Sequence, residues 1–233
     1  MAELLKVILY SLISGITILI GAIIANAIKS KDKKRLVNEA TAFGGGILIS
    51  AVAFALTPRA IQILSLSWLI IIFVLGTLTF FFIDRFIESR GGSIAQVMAM
   101  LMDFIPEALA LGAAFAHDVK LGLLLAFFIG LQNLPEGFNA FQELISRGFT
   151  KLKTFMILTP LSFIGVIAAI VGNLFFSESP KIIAAIMLFA GGGITYLMFH
   201  DIAPIPERGK FWTPALSASL GFLLGMICEK LLF

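Results

Sequence analysis

Two acidic residues lie inside apolar stretches long enough to cross a lipid bilayer, and each directly follows a proline. Glu107 falls in residues 93–116, within Asp103-Phe104-Ile105-Pro106-Glu107. Glu136 falls in residues 119–145, within Gln132-Asn133-Leu134-Pro135-Glu136. A carboxylate near the membrane midplane costs roughly 2.5–3.5 kcal/mol on insertion scales, so two in the same local pattern point to something that binds there. Positions i and i+4 share a helix face, so Asp103 and Glu107 project together from one segment, and Gln132 and Glu136 from the next. The prolines cannot donate a backbone hydrogen bond, which leaves the carbonyls of Met102 and Leu131 without their usual partners. Such a carbonyl is a further oxygen donor or a place for water. Three carboxylates held close in a low dielectric cannot all stay ionised without a counter-charge. A divalent cation supplies that charge, with protons as its competitor. The plainer alternative is that the acids hydrogen-bond to neighbouring helices and the prolines merely kink theirs.

The elements that must position these residues follow from composition. The chain has 233 residues, 59% hydrophobic and 13% charged, the balance of a polytopic membrane protein rather than a soluble domain. Each span needs about 20 apolar residues. Eight candidates occur, at approximately 4–28, 40–56, 64–83, 93–116, 119–145, 154–176, 181–199 and 211–232. The runs are continuous, without period-two alternation, so the expected fold is all-α, a single membrane domain over residues 1–233, and not a β-barrel. The lone Cys228 excludes an intrachain disulfide framework. Ala25-Asn26-Ala27 resembles a signal cleavage site, but the preceding apolar run is too long and lysines follow it directly, so the segment reads as a retained span.

Eight spans put both termini on one side. The loops after spans one, three, five and seven hold Lys29, Lys31, Lys33, Lys34, Arg35, Arg85, Arg90, Arg147, Lys151, Lys153, Arg208 and Lys210, twelve of the 17 basic residues. The positive-inside rule places those loops in the cytoplasm and both termini outside a multi-pass cell-membrane protein. The net charge of +3 is thereby a topological signal and implies no nucleic acid; the run Lys29–Arg35 alone could also meet anionic lipid. Trp68 and Trp212 read as interfacial anchors.

The chain also repeats itself weakly. Phe43-Gly44-Gly45-Gly46-Ile47 in span two matches Ala190-Gly191-Gly192-Gly193-Ile194 in span seven, and the two run in opposite directions. The two Pro-Glu spans are likewise opposed. This is the pattern of an inverted-repeat transporter, with its substrate at midplane on broken helices. The glycine triplets themselves serve close helix approach.

With the motifs in view, the segments DFIPEALALG from Asp103 and QNLPEG from Gln132 resemble the fourth and fifth transmembrane helices of the ZIP (Zrt/Irt-like) family of metal transporters. FGGGI, AGGGITY and the span count extend the resemblance over nearly the whole chain. It implies an eight-helix inverted repeat of 3+2+3 spans and a first metal site at Asp103, Glu107, Gln132 and Glu136, with Asp103 where the family usually has histidine. A neighbouring second site would fall on Phe104, Glu107, Asn133, Glu136 and a residue of span six, here Gly165. Phe104 cannot ligate a metal and span six has no acid, so one site is expected rather than two. Carboxylate and amide oxygens suit Mn²⁺, Fe²⁺, Mg²⁺ or Ca²⁺ better than they select Zn²⁺, with Zn²⁺ and Cd²⁺ competing through the affinity order.

Towards the expected cytoplasmic side, Gln96 and Met100 line the inner half of span four. Asn139, Glu143, His200 and Asp201 are the candidate exit path. His117 and Asp118 sit in the opposite loop and could attract cations. The expected function is inward transport of a divalent metal by alternating access around one midplane site. The partners are the cation, the bilayer and a second copy of the chain. Two competitors are a membrane protein that binds metal without carrying it and a proton-linked carrier of another substrate. No nucleophile–base pattern or phosphate-binding loop occurs, so neither an enzyme nor an organic cofactor is expected.

Overall fold

A computed structural model describes residues 2–28, 33–89, 95–176, 178–202 and 212–232, and all regular structure among them is helical. The helices are α1 (Ala2–Ala27), α2 (Lys33–Ala51), α3 (Pro58–Ile63), α4 (Leu66–Ser89), α5 (Ala95–Phe115), α6 (Val119–Ser146), α7 (Lys151–Phe176), α8 (Pro180–Leu197) and α9 (Thr213–Leu232). Seven membrane-length apolar segments occur among the described residues, one of them running from Arg35 through α3 to Ile63. The 21 residues of α5 rise about 31 Å at 1.5 Å each, which is also membrane length. The protein is an all-α polytopic membrane protein. Arg90, Arg208 and Lys210, used in the topological expectation, lie outside the described residues, as do residues 29–32.

Local chemistry sets the ends of these helices. The Asp118 side chain accepts from Leu121 N and starts α6; Ser179 accepts from Ile182 N and starts α8, with Pro180 in the first turn. Both are N-cap residues before an apolar run. At the other end of α6, Gly148 takes φ +89°, and Phe149 N returns to the Leu144 carbonyl at 3.1 Å. A left-handed glycine of this kind ends a helix without steric cost.

The expectation of broken helices is corrected in one respect. Both α5 and α6 run unbroken through Pro106 and Pro135. The discontinuities are in their neighbours. Each of the glycine-triplet helices passes into one turn of π-helix, Val52–Leu56 after α2 and Met198–Ile202 after α8. In the first, Thr57 N and Oγ1 both return to the Val52 carbonyl, at 3.1 and 2.7 Å.

The helices pack as two bundles. In one, α6 lies on α1, α7 lies on α5 and on α1, and α5 on α6. In the other, α2 lies on α9 and α4 on α8, with α3 against α8. The seam between them is α2 against α6 and α5 against α8. Exchanging α1 with α7, α2 with α8, α4 with α9 and α5 with α6 maps these helix-on-helix pairs onto one another, with α1–α7 and α5–α6 onto themselves and α3 aside, as an inverted repeat requires.

Glycines at the contacts repeat the exchange residue by residue. A Cβ on Gly21 would stand 2.0 Å from the Leu134 carbonyl oxygen, and one on Gly137 2.1 Å from that of Ile18. The image interface sets Gly172 on the Leu109 carbonyl and Gly112 on that of Ala169. In the other bundle, Gly221 against Phe43 is mirrored by Gly76 against Phe189. Backbones this close have room only for hydrogen, as in small-residue packing of membrane helices. Gly137→Ala should therefore cost about 1–3 kcal/mol of overpacking and lower the thermal midpoint in detergent. Gly191→Ala, whose Cβ would find nothing nearer than 3.4 Å, should leave it within error. Equal midpoints for the two variants would contradict this packing.

Candidate metal centre

The helical hairpin of α5 and α6, turning through residues 116–118, carries the acidic residues. The Gln132 amide nitrogen donates to Glu107 Oε2, a bond between the facing surfaces of the two helices. Because the helices are antiparallel, Asp103, one turn earlier on α5, comes level with Glu136, one turn later on α6. Asp103 is 4% exposed, Glu107 2% and Gln132 0%; Glu136 is half-buried.

The donor accounting is incomplete in a telling way. Gln132 spends its nitrogen on Glu107, leaving its own buried Oε1 without a partner, and Glu136 Oε2 is likewise buried and unpartnered. Asn133 donates to the Ser14 carbonyl of α1 at 3.0 Å, and its Oδ1 is orphaned too. Orphaned buried acceptors call for explanation, since such groups are nearly always satisfied. All three are oxygens, and a cation satisfies several at once. Among the described residues, no three His, Cys, Asp or Glu side chains stand together as a ready metal cage. Glu107 faces Gln132 across the hairpin, and helical spacing sets Asp103 and Glu136 one turn away on the same faces.

Beside this hairpin, the two positions where the resemblance places non-ligating residues meet each other. The buried Phe104 ring lies against Gly165 of α7, with ring atoms 2.1 and 2.8 Å from where a Cβ would stand. An aromatic ring thus fills the recess that a side chain at position 165 would need. The Phe104 backbone N–H donates to Asp103 Oδ1 at 2.8 Å, so one oxygen of that carboxylate is engaged locally.

The candidate exit residues do not form one group. Asn139 donates to Thr41 Oγ1 on α2 at 2.6 Å. Glu143 is gripped by Arg147 one turn later, at 2.7 Å. His200 Nδ1 lies 3.2 Å from Asp84 of α4 and stacks on Tyr196, whose hydroxyl donates to the same carboxylate at 2.8 Å. The side chains of Asp201 and Gln96 lie outside the described residues. In the opposite loop, Asp118 serves as N-cap and lies 3.7 Å from Arg59.

Sequence reasoning missed Ser14, Thr41, Asp84 and Tyr196. Asp84 carried a signal, an acid at the very edge of an apolar run. Ser14 contributes a backbone carbonyl, which no residue type advertises.

Known proteins bear on the site as follows. No family model matches the chain. It is 31% identical over 149 residues to the zinc transporter GufA of Myxococcus xanthus, covering 61% of this chain and 59% of that one. It is 26% identical over 142 residues to the zinc transporter ZIP13 of Pongo abelii, covering 56% and 43%. The chain is thus similar, over somewhat more than half of its length, to two proteins named as zinc transporters. It spans about half the length of the curated relatives it matches, 59% and 43%. The Phe104 ring and the absent side chain of Gly165 thus compensate each other in volume.

That compensation is measurable. Gly165→Ala should lower the thermal midpoint by overpacking against the ring, at a cost of about 1–3 kcal/mol. In a Phe104→Ala background the same change should cost much less, with a coupling of about 1 kcal/mol or more. Additive effects in the double variant would separate the two residues.

Proposed function

We propose that the chain carries a divalent metal cation across the membrane. In this reading Asp103, Glu107, Gln132 and Glu136 hold the ion, with Asn133 beside them. The observation that carries it is the set of buried acids and orphaned oxygens on the facing surfaces of α5 and α6, in a chain whose relatives are zinc transporters. Buried carboxylates without basic partners are expensive in a bilayer and mark ion pathways.

The oxygen-only donors suit Mn²⁺ and Fe²⁺ at least as well as Zn²⁺, and Cd²⁺ competes through the affinity order. The Phe104 ring on Gly165 supports one ion per chain. The loops richer in lysine and arginine support an orientation in a cell membrane with both termini outside, and in this reading the ion moves inward to the cytoplasm.

The bundle arrangement supports a mechanism. The centre belongs wholly to the bundle of α1, α5, α6 and α7, near its seam with the other. Glycine against backbone holds α1 on α6, α7 on α5, α2 on α9 and α4 on α8; at the seam, Gly44 of α2 meets the side chain of Pro135, 2.9 Å from its would-be Cβ. A tight bundle moving against its neighbour exposes the bound ion to each side in turn without dismantling the site.

Flux into proteoliposomes under a metal gradient tests the reading, run across Mn²⁺, Fe²⁺, Zn²⁺ and Cd²⁺. Glu107→Gln and Glu136→Gln should each lose binding and uptake by about 100-fold or more, beyond the 10–100-fold typical of changes around a metal site. Asp103→Ala should be milder. Wild-type uptake by both glutamine variants would contradict the proposal, and binding without flux would favour a metal sensor.

A further inference from the structure

Among the described residues, polar links cross the seam between the bundles at opposite ends. At the end that holds both chain termini, Arg59 Nη1 and Asp118 Oδ2 stand 3.7 Å apart and partly exposed. They line a cavity of about 380 Å³ shared by Phe54, Pro58 and Gln62 of one bundle and Leu121 of the other. That end is loose. At the opposite end the link is short: Asn139 Nδ2 of α6 donates to Thr41 Oγ1 of α2 at 2.6 Å, with Asn139 only 8% exposed.

The Thr41 hydroxyl is oriented for this role. It donates its own proton to the Val37 carbonyl at 2.9 Å, so a lone pair is what it offers to Asn139. Asn139 in turn has no partner for its buried Oδ1. Asn139 follows Glu136 by three residues, on neighbouring helix face, and Gly44, one turn along α2 from Thr41, packs on Pro135. The link therefore lies immediately beyond the candidate centre, on the side away from the termini.

We propose that the Thr41–Asn139 hydrogen bond is a catch that holds the seam closed between the centre and the face opposite the termini, and that Thr41 is a gating residue. Opening towards that face requires α6 to leave α2, which leaves the Asn139 amide to find water. The catch rests on the two-bundle reading of transport, but its test needs no transport.

Thr41→Val keeps the shape and removes the acceptor; Thr41→Ser keeps the acceptor. Both are placed in a chain carrying Ala140→Cys, one turn past Glu136 and buried, with the native Cys228→Ser. A membrane-impermeant thiol reagent is applied to vesicles at the face opposite the termini. Thr41→Val should label about three- to tenfold faster, the population shift expected from one hydrogen bond, and Thr41→Ser at the parent rate. Labelling of Thr41→Val at the parent rate, or equal acceleration in Thr41→Ser, would overturn the catch. Hydrogen exchange across residues 139–146 in the otherwise native chain repeats the comparison without the added cysteine, and unchanged protection in Thr41→Val would overturn it equally. Loss of flux with this labelling pattern intact would sink the transport reading and leave the catch standing.

Discussion

The contact between Glu107 and Gln132 is the constraint from which the rest of the centre follows. It ties α5 to α6 at one level of an antiparallel pair, and helical spacing then brings Asp103 and Glu136 level one turn away. A carboxylate buried this deeply needs partners, and the amide satisfies only part of it. The remaining acceptors are oxygens with nothing to accept from. Their unmet demand is the physical basis for reading the hairpin as a cation site, independent of any resemblance.

The surrounding architecture keeps that demand in place while leaving a route for movement. Glycines let α1 press on α6 and α7 on α5 until backbone meets backbone, which packs the acid-bearing bundle closely. The partner bundle is built by the same rule from α2 with α9 and α4 with α8. The π turns follow the glycine triplets in both halves, so irregular backbone is placed beside the site helices rather than within them. Inserted turns of this kind are frequent at functional positions.

Much of this was legible in the residues. Asp103, Glu107, Gln132 and Glu136 were readable because acids inside apolar runs are rare enough to stand out, and i, i+4 spacing fixes their common face. The inverted repeat was visible in the two glycine triplets. The continuity of α5 and α6 through proline was not: a neighbouring helix can support a backbone that local chemistry would break. The separate partners of Glu143 and His200 were hidden for another reason. Arg147 lies one turn from Glu143, a local pairing, but Asp84 meets His200 only through the packing of α4 on α8. The contact of Phe104 with Gly165 joins two residues that the sequence presents as unrelated losses.

The account stands on a cation bound by oxygen between α5 and α6. X-ray absorption at the metal edge of purified, metal-loaded protein, with an anomalous difference map from crystals of the same sample, tests this most directly. The account predicts one ordered metal per chain between Glu107 and Glu136, with a first shell of oxygen alone. An imidazole or sulfur signature in that shell, or a metal ordered elsewhere with the α5–α6 hairpin empty, would contradict it.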